Sequence, residues 1–348
     1  MRLHYLSVPP AAALDVINML REAKLVEHSR VIMEKPFGTD LESAVELNAQ
    51  MHRTFDESQI FRIDHFLGKE ATQNILALRF ANGLFEPIWN RNFIDHVQID
   101  IPESLGLERR ANFYENTGAY KDMVVTHLFQ LMAFAAMEPP SALEPTSISE
   151  KKNEVFRSLL TVLPSHVVRG QYQGYRQEEG VARDSDTETF IAMHCELDNW
   201  RWQGVPFLLR TGKRLAERQT EIAICFRRPP VALFAHLGAP GFDANVLRLR
   251  LQPNEGFALH IGVKAPGDDF SVTSRALHFE YGEAFGPLPE AYETLIENIF
   301  EGDQTLFVHA EEVETAWAMY QPILENPPEV HPYAAGGWGP QATECLEP

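Results

Sequence analysis

The order of apolar runs along the chain constrains its fold more than any other feature. Residues 2–8 have the pattern of a short strand, and an amphipathic helical pattern then continues to about Val26. Residues 31–33 form a second short apolar run. A strand, a helix and a strand in this order predict a βαβ unit within a parallel sheet that has helices packed on it.

The pattern changes from about residue 158 onward. Short strand-like runs lie at 205–210, 221–226, 246–251 and 258–263, separated by Gly, Pro and Asn. Runs of this kind are typical of a large antiparallel sheet with one buried face. We therefore expect an α/β portion followed by an α+β portion in which a large, mainly antiparallel β-sheet is packed with helices.

The same periodicities assign the segments between these two regions. A helix is predicted to begin at Thr39 or Asp40 and to continue to about Thr54, because either residue can cap it. Further assignments are helices over 70–85 and 118–137, a strand over 94–101, a loop over 170–186 and an irregular tail from Pro327.

Length, charge and cysteine content limit the classes of function. The 348 residues suffice for about two domains. A net charge of −19 argues against nucleic-acid binding, and the sequence has no apolar run long enough to suggest a membrane partner. The three cysteines, Cys195, Cys225 and Cys345, argue against a disulfide framework or a zinc site and fit a cytoplasmic protein. An anionic substrate would need cations that converge locally.

The segment Arg62–Glu70, R-I-D-H-F-L-G-K-E, is the most informative motif. An Asp can fix the tautomer of a histidine, and a His with a Lys can hold a dianionic phosphate. The string resembles the substrate-site signature of the glucose-6-phosphate dehydrogenase family, R-I-D-H-Y-L-G-K-E, with Phe66 in place of the family's Tyr. The missing phenolic hydroxyl removes one hydrogen bond to a charged group, which is worth roughly 1.5–3 kcal/mol.

The resemblance extends from about Leu3 to about Gly339. Residues 3–10 resemble the family's L-F-Y-L-A-L-P-P, residues 34–38 are identical to its E-K-P-F-G, and residues 204–213 and 302–307 match two further blocks. Membership implies oxidation of glucose 6-phosphate at C1 by NADP⁺, which gives the lactone that enters the pentose phosphate pathway. It implies no need for a metal.

His127 is the candidate for the general base of such a reaction. It lies on the apolar helical segment 122–128, where a His needs a buried partner or a chemical role. Asp122 precedes it by five residues, so on an α-helix the two side chains lie roughly 140° apart and are poorly placed to bond each other. Another acid should orient the imidazole. The resemblance implies that Asp64 is this acid, that His127 is the base, and that Asp122 binds the sugar.

The resemblance also implies the remaining site residues. It assigns the phosphate to His65 and Lys69, a sugar hydroxyl to Glu103, and two further cations at the substrate to Lys213 and Arg218. Lys35 would lie between sugar and coenzyme, and Tyr5 would face the coenzyme. We expect folding to bring together the cations of this set into one anion site, although they come from three separated segments: Lys35, His65, Lys69, Lys213 and Arg218.

One feature of the family is missing from the sequence. Between the first strand and the first helix there is no glycine-rich turn, neither G-x-G-x-x-G nor G-x-x-G-D-L. Residues 1–64 are therefore interpreted as the remaining C-terminal part of an NADP-binding Rossmann-like domain. Residues 65–348 are interpreted as the substrate-binding and oligomerisation α+β domain, which in the family mediates dimer or tetramer contacts.

The missing turn leaves two functional hypotheses. The first is a homo-oligomeric, NADP-dependent glucose-6-phosphate dehydrogenase. The second is a catalytically impaired relative or assembly subunit that binds sugar phosphate, because without the turn NADP⁺ would lose its pyrophosphate site. Replacement of His127 with Asn should abolish turnover under the first hypothesis.

Overall fold

The computed structural model describes every residue except 9, 109, 232, 234–243, 268–270, 347 and 348. A small parallel sheet lies at the N-terminal end, with strand order β1-β2-β3. Its β1–α1–β2 order is the predicted βαβ unit, and Asp40 caps α2 by accepting from the Ser43 N–H at 2.8 Å. The elements are β1 (Arg2–Leu6), α1 (Pro10–Glu22), β2 (Ser29–Met33), α2 (Leu41–His52) and β3 (Ile60–Arg62).

A second, larger sheet has the order β11-β10-β9-β8-β4-β7-β6-β5-β12. All neighbouring pairs in it are antiparallel except β4–β7 and β5–β12. The predicted mainly antiparallel sheet is thereby confirmed. Its strands are β4 (Ile94–Pro102), β5 (Val167–Tyr172), β6 (Phe190–Cys195), β7 (Phe207–Gly212), β8 (Thr220–Phe226), β9 (Val246–Gln252), β10 (Gly256–Lys264), β11 (Val272–Glu280) and β12 (Val330–Tyr333).

Helices cover the large sheet and connect it to the small one. α5 lies in the centre of the core, and every one of its residues is buried. None of the helices in the described part of the chain is long and apolar enough to cross a membrane. The helices are α3 (Glu70–Phe80), α4 (Ala111–Ala119), a π-helix (Tyr120–Leu128), α5 (Phe129–Ala136), α6 (Pro145–Ser158), α7 (Tyr281–Phe285), α8 (Ala291–Glu301) and α9 (Ala310–Glu325).

Several predicted boundaries are wrong. The helix expected over 118–137 begins instead as the π-helix and becomes α-helical only at Phe129. α3 ends at Phe80 rather than near 85. The Asn82 side chain donates to the carbonyls of Ala77 and Leu78 at 3.2 Å, so it takes up acceptors left free at the helix end.

The segments expected to be irregular contribute two strands. Part of the predicted loop over 170–186 belongs to β5, and the tail after Pro327 contains β12, which pairs in parallel with β5. Arg169 on β5 fixes the approach of the tail by donating to the Pro328 carbonyl at 2.9 Å. The pairing partner of β12 lies about 160 residues earlier, so the local sequence pattern of the tail does not predict that it forms a strand.

Candidate active site

The candidate site lies where the small sheet meets the π-helix. Lys35 follows β2 by two residues and Asp64 follows β3 by two residues. Because β2 and β3 are parallel, their carboxyl ends lie at the same edge, which is where open α/β sheets bind ligands. The π-helix brings Asp122 and His127 to this edge.

Asp64 and His127 form a buried pair. Their Oδ1 and Nδ1 atoms are 2.6 Å apart, and the two side chains are 2% and 1% exposed. Burial acts to raise the pKa of Asp64, but the charge and hydrogen bond of His127 outweigh it and lower that pKa to about 2. Asp64 is therefore ionised near neutral pH and accepts the Nδ1–H of His127, which fixes the imidazole tautomer.

Lys35 occupies the other side of the imidazole. Its Nζ lies 2.9 Å from Nε2 of His127, 2.8 Å from Oδ1 of Asp122 and 3.0 Å from the Asp122 carbonyl oxygen. Since an ammonium can only donate, Nε2 must be the unprotonated, accepting nitrogen. Burial acts to raise the pKa of Asp122, whereas the charge and hydrogen bond of Lys35 hold it below its usual value.

The π-helix explains why Asp122 and His127 reach the same cation. On an α-helix these side chains would point in directions roughly 140° apart. The turn of a π-helix is closed by i→i+5 hydrogen bonds, so residues five apart lie one above the other on the same face. The two side chains therefore both contact the Lys35 ammonium.

His65 and Phe66 pack around the imidazole of His127. The His65 ring centroid is 4.7 Å from that of His127, and the Phe66 centroid is also 4.7 Å from it. Burial and then the neighbouring His127 lower the pKa of His65 to about 4. The Phe66 N–H donates to Oδ1 of Asp64 at 3.0 Å, so Phe66 supports the Asp64–His127 pair through its backbone and its ring.

Lys69 lies further from the centre of the site. Its Nζ is 3.9 Å from Oε1 of Glu255, whose other oxygen accepts the Ala71 N–H at 2.7 Å. Burial raises the pKa of Glu255. Lys69 lines an acidic groove between β9–β10 and α8 rather than the small cavity beside His127, although its charge still contributes to lowering the pKa of His65.

Lys213 and Arg218 differ in their placement. Nζ of Lys213 is 2.6 Å from Oε2 of Glu103 and 4.9 Å from the ring centroid of Tyr114, and Lys213 is 3% exposed. Its charge is also felt by Asp122, whose pKa it helps to lower. Arg218 is exposed on the connection between β7 and β8, and it makes no hydrogen bond or ion pair with the described residues.

Tyr5 lies at the carboxyl end of β1 and is 46% exposed. Its hydroxyl donates to Glu34, which also accepts from the Tyr292 hydroxyl at 3.3 Å. Neither Tyr292 nor Glu255 could be predicted from the sequence, because each contacts the site from a segment with no motif of its own. Glu34 could have been predicted as a site residue, because it precedes Lys35 in the E-K-P-F-G block.

Comparisons with known proteins identify the family. Residues 1–74 match the family described as glucose-6-phosphate dehydrogenase, NAD binding domain, and residues 76–347 match the glucose-6-phosphate dehydrogenase, C-terminal domain. The chain belongs to the glucose-6-phosphate dehydrogenase family. The recognition made from the nine-residue signature is confirmed.

Individual family members are similar over almost the whole chain. Glucose-6-phosphate 1-dehydrogenase of Rhizobium meliloti (strain 1021) is 44% identical over 367 aligned positions, which cover 99% of this chain and 74% of that protein. The crystal structure of the enzyme from Mycobacterium avium is 40% identical with a TM-score of 0.92, covering 99% of this chain and 74% of that one. A glucose-6-phosphate dehydrogenase solved in complex with glucose 6-phosphate is 35% identical with a TM-score of 0.93, again over 99% and 74%.

The described residues fit the nicotinamide end of NADP, the coenzyme of the glucose-6-phosphate dehydrogenase family. A half-exposed aromatic ring, Tyr5, and the ammonium of Lys35 stand at the carboxyl ends of adjacent parallel strands. This is the edge at which dinucleotides bind in such sheets. We assign no metal: Asp64, His65 and His127 offer ligand atoms within 4.8 Å of one another, but Asp64 and His127 are bonded to each other.

Proposed function

We infer that this protein oxidises glucose 6-phosphate at C1 with NADP⁺, giving the lactone that enters the pentose phosphate pathway. One observation carries the assignment: a buried carboxylate–imidazole pair, 2.6 Å apart, lies beside a lysine at the carboxyl edge of a parallel sheet. The relatives that align over 99% of the chain are named as dehydrogenases. The binding-only alternative is not favoured.

His127 acts as the base. Its Nε2 accepts the proton of the C1 hydroxyl, and the imidazolium that forms is stabilised by the ionised Asp64 on the Nδ1 side. Tyr5 and Lys35 would hold the nicotinamide end of NADP⁺, which would supply the acceptor for the hydride from C1. The Asp64–His127 pair is 1–2% exposed, so water does not compete for the proton.

Lys35 has two roles that follow from its contacts. In the ligand-free arrangement it donates to Nε2 of His127, the same lone pair that must accept the substrate hydroxyl proton. The substrate must therefore displace the ammonium from Nε2, after which Lys35 donates to a sugar oxygen while keeping its bond to Asp122. Its position between β1 and the π-helix lets it bridge sugar and coenzyme.

The remaining residues of the site bind the sugar phosphate. We assign the phosphate to His65 and Lys69 and the sugar hydroxyls to Asp122 and Glu103, with Lys213 as the supporting cation. Lys213 and Lys69 are each paired with one carboxylate, which keeps the cations ordered within a protein of net charge −19. Arg218 completes this set as an exposed cation that reaches the phosphate when substrate binds.

The direct test uses the purified chain with glucose 6-phosphate and NADP⁺. We expect the chain to reduce the coenzyme, which is measured by absorbance, and to prefer glucose 6-phosphate strongly over glucose as the substrate. Calorimetry with glucose 6-phosphate is run in parallel. Sugar-phosphate binding without coenzyme reduction would contradict the dehydrogenase assignment, and absence of both would contradict the site as a whole.

We also propose that the protein forms a homo-oligomer through the β11 edge of the large sheet. β11 is an edge strand without a buried residue, and Leu277 on it is 58% exposed. A long open edge of this kind is usually covered, here by a second copy. In light scattering, Leu277→Lys should shift the protein towards monomer, whereas Leu143→Lys at another exposed position should not.

For its compartment we propose the cytoplasm. Cys195 and Cys225 are both free thiols, which fits a reducing environment. Cys345 lies in the sequence near the C-terminus, and its side chain is outside the described residues. Fractionation of producing cells with antibody detection would test the assignment, and recovery with secreted proteins would contradict it.

A further inference from the structure

The π-helix that carries Asp122 and His127 needs a defined starting point. Only the wide turn of a π-helix aligns residues that are five apart. If the helix began one residue earlier or later, the side chains of Asp122 and His127 would both move away from the Lys35 ammonium. The start lies at Gly118, where α4 breaks with φ 66° and ψ 174°. The chain resumes a helical path at Ala119.

Glu188 satisfies the first two N–H groups after this break. Its carbonyl oxygen accepts the Ala119 N–H at 3.0 Å, and its Oε1 accepts the Tyr120 N–H at 3.0 Å. It lies just before β6 and is 7% exposed. The contact joins residues 68 positions apart, so the rigid sheet, rather than the helix itself, sets where the π-helix begins.

Arg169 and Gly118 hold Glu188 in this position. Arg169 donates from Nη2 and Nε to Oε2 of Glu188 at 2.9 and 3.2 Å. A Cβ at Gly118 would lie 2.4 Å from Oε1 of Glu188, so only glycine allows both the left-handed backbone and the close approach of the carboxylate. The three residues form a fixed unit at the start of the π-helix.

We propose that Glu188 is a positioning residue that sets the register of the π-helix and thereby places Asp122 and His127 on the Lys35 ammonium. The proposal rests on the proposed function for its kinetic consequences only. Glu188 is not among the residues proposed to bind substrate or coenzyme; it acts through the backbone of Ala119 and Tyr120.

The carboxylate is needed because both of its oxygens must accept. Oε1 accepts from Tyr120 and Oε2 accepts from Arg169. A glutamine has one accepting oxygen and an NH₂ group that only donates. In Glu188→Gln, either the Tyr120 N–H or the Arg169 guanidinium must therefore face this NH₂ group instead of an acceptor. Removing the Arg169 donors as well, in Glu188→Gln/Arg169→Met, frees the glutamine oxygen to accept from Tyr120.

The test compares these two variants with Glu115→Gln. Glu115 lies on α4 before the break and lines one cavity together with Gly118 and Glu188. Among the described residues, its carboxylate accepts only from Tyr175 and Ala182. We measure KM for glucose 6-phosphate, kcat, and amide hydrogen exchange of residues 119–128 by mass spectrometry. KM does not depend on the fraction of folded enzyme, so a loss of stability alone leaves it unchanged.

We expect Glu188→Gln to raise KM, to lower kcat roughly tenfold to a hundredfold through misplacement of the reacting groups, and to speed exchange over 119–128. The double variant should regain a KM near wild type even though it is less stable, and Glu115→Gln should resemble wild type. The proposal is overturned if Glu188→Gln leaves KM and exchange unchanged, or if the double variant folds but keeps the raised KM. Hydrogen exchange needs no substrate, so an inactive wild type with protected residues 119–128 would refute the proposed function alone.

Discussion

Two lysine–carboxylate clusters lie three residues apart along one helical run, and they differ in how completely their polar atoms are paired. His127 belongs to the first, with Lys35 and Asp64, and Gln130, three residues later, belongs to the second, with Lys152 and Glu312. We call them the open cluster and the closed cluster. Both are largely buried, so burial alone does not tell them apart.

The closed cluster satisfies its charges internally. Oε2 of Glu312 accepts from Gln130 at 2.9 Å and from Lys152 at 2.8 Å, and Oε1 accepts from Ser149 at 3.0 Å. Lys152 and Glu312 are 1% and 0% exposed. A buried network of this kind, in which both charges are paired, joins α6, α9 and α5 in one arrangement.

The open cluster keeps atoms available. The Lys35 side chain is 27% exposed, and its hydrogen bond to Nε2 of His127 can be exchanged for one from a substrate hydroxyl. Oδ2 of Asp64 makes no hydrogen bond with the described residues. Asp64 lines a cavity of about 20 Å³, which Gln130 and Glu312 line from the other cluster. An exchangeable bond at a buried charge, rather than the charge itself, therefore distinguishes the open cluster, which holds the proposed base, from the closed one.

Replacement of His127 with Asn should have the largest effect. Loss of the base should lower kcat by roughly 10²- to 10⁴-fold, while glucose 6-phosphate binding stays nearly intact. Steady-state coenzyme reduction and calorimetry measure the two quantities separately. A variant that keeps the full rate would show that the open cluster does not contain the base.

Replacement of Lys152 with Met should act on stability instead. It leaves the charge of Glu312 buried without its partner, which costs about 3–5 kcal/mol of unfolding free energy. KM and kcat of the folded fraction should change less than twofold. Urea denaturation measures the loss, and Lys151→Met, on an exposed pair with Glu154, is the control with an expected change of about 0.5 kcal/mol or less. Equal losses of unfolding free energy in the two variants would contradict a structural role for the closed cluster.

The pH dependence of stability should reveal His65. Because burial, followed by His127, lowers its pKa from 6.5 to about 4, the unfolded chain binds the proton at a higher pH than the folded chain does. Unfolding free energy should therefore fall as the pH drops from 6.5 to 4, by roughly 3 kcal/mol from this residue. His65→Asn should flatten the denaturation curve in this window, and His28→Asn, at an exposed position, should not. An unchanged slope in His65→Asn would contradict the assignment.

Replacement of Lys69 with Ala should have the smallest effect of the four. The loss of one charged hydrogen bond should lower the affinity for glucose 6-phosphate by roughly ten- to a hundredfold. The affinity for unphosphorylated glucose should fall much less. Calorimetry with both sugars, and with Lys151→Ala as the control, measures the difference. An equal loss of affinity for both sugars would indicate that the phosphate binds away from the acidic groove and closer to the open cluster.

Local pattern predicted part of this site and missed part of it. The string Arg62–Glu70 named Asp64, His65 and Lys69 together, because β3 and the turn after it are continuous in sequence. The partner of Lys69 did not follow from any pattern, since Glu255 comes from the turn between β9 and β10. The same holds for Glu188, which contacts the π-helix from a segment 68 residues away.

The family, the order of the βαβ unit and the presence of the large sheet could be predicted from the sequence, because these depend on contiguous motifs and on periodicity within one strand or helix. Only the folded chain shows the π-helix that puts Asp122 and His127 on one cation, and the addition of β12 to the sheet. Both depend on hydrogen bonds between segments far apart in the chain. Such bonds outweigh local helical preference only after the fold has brought the segments together.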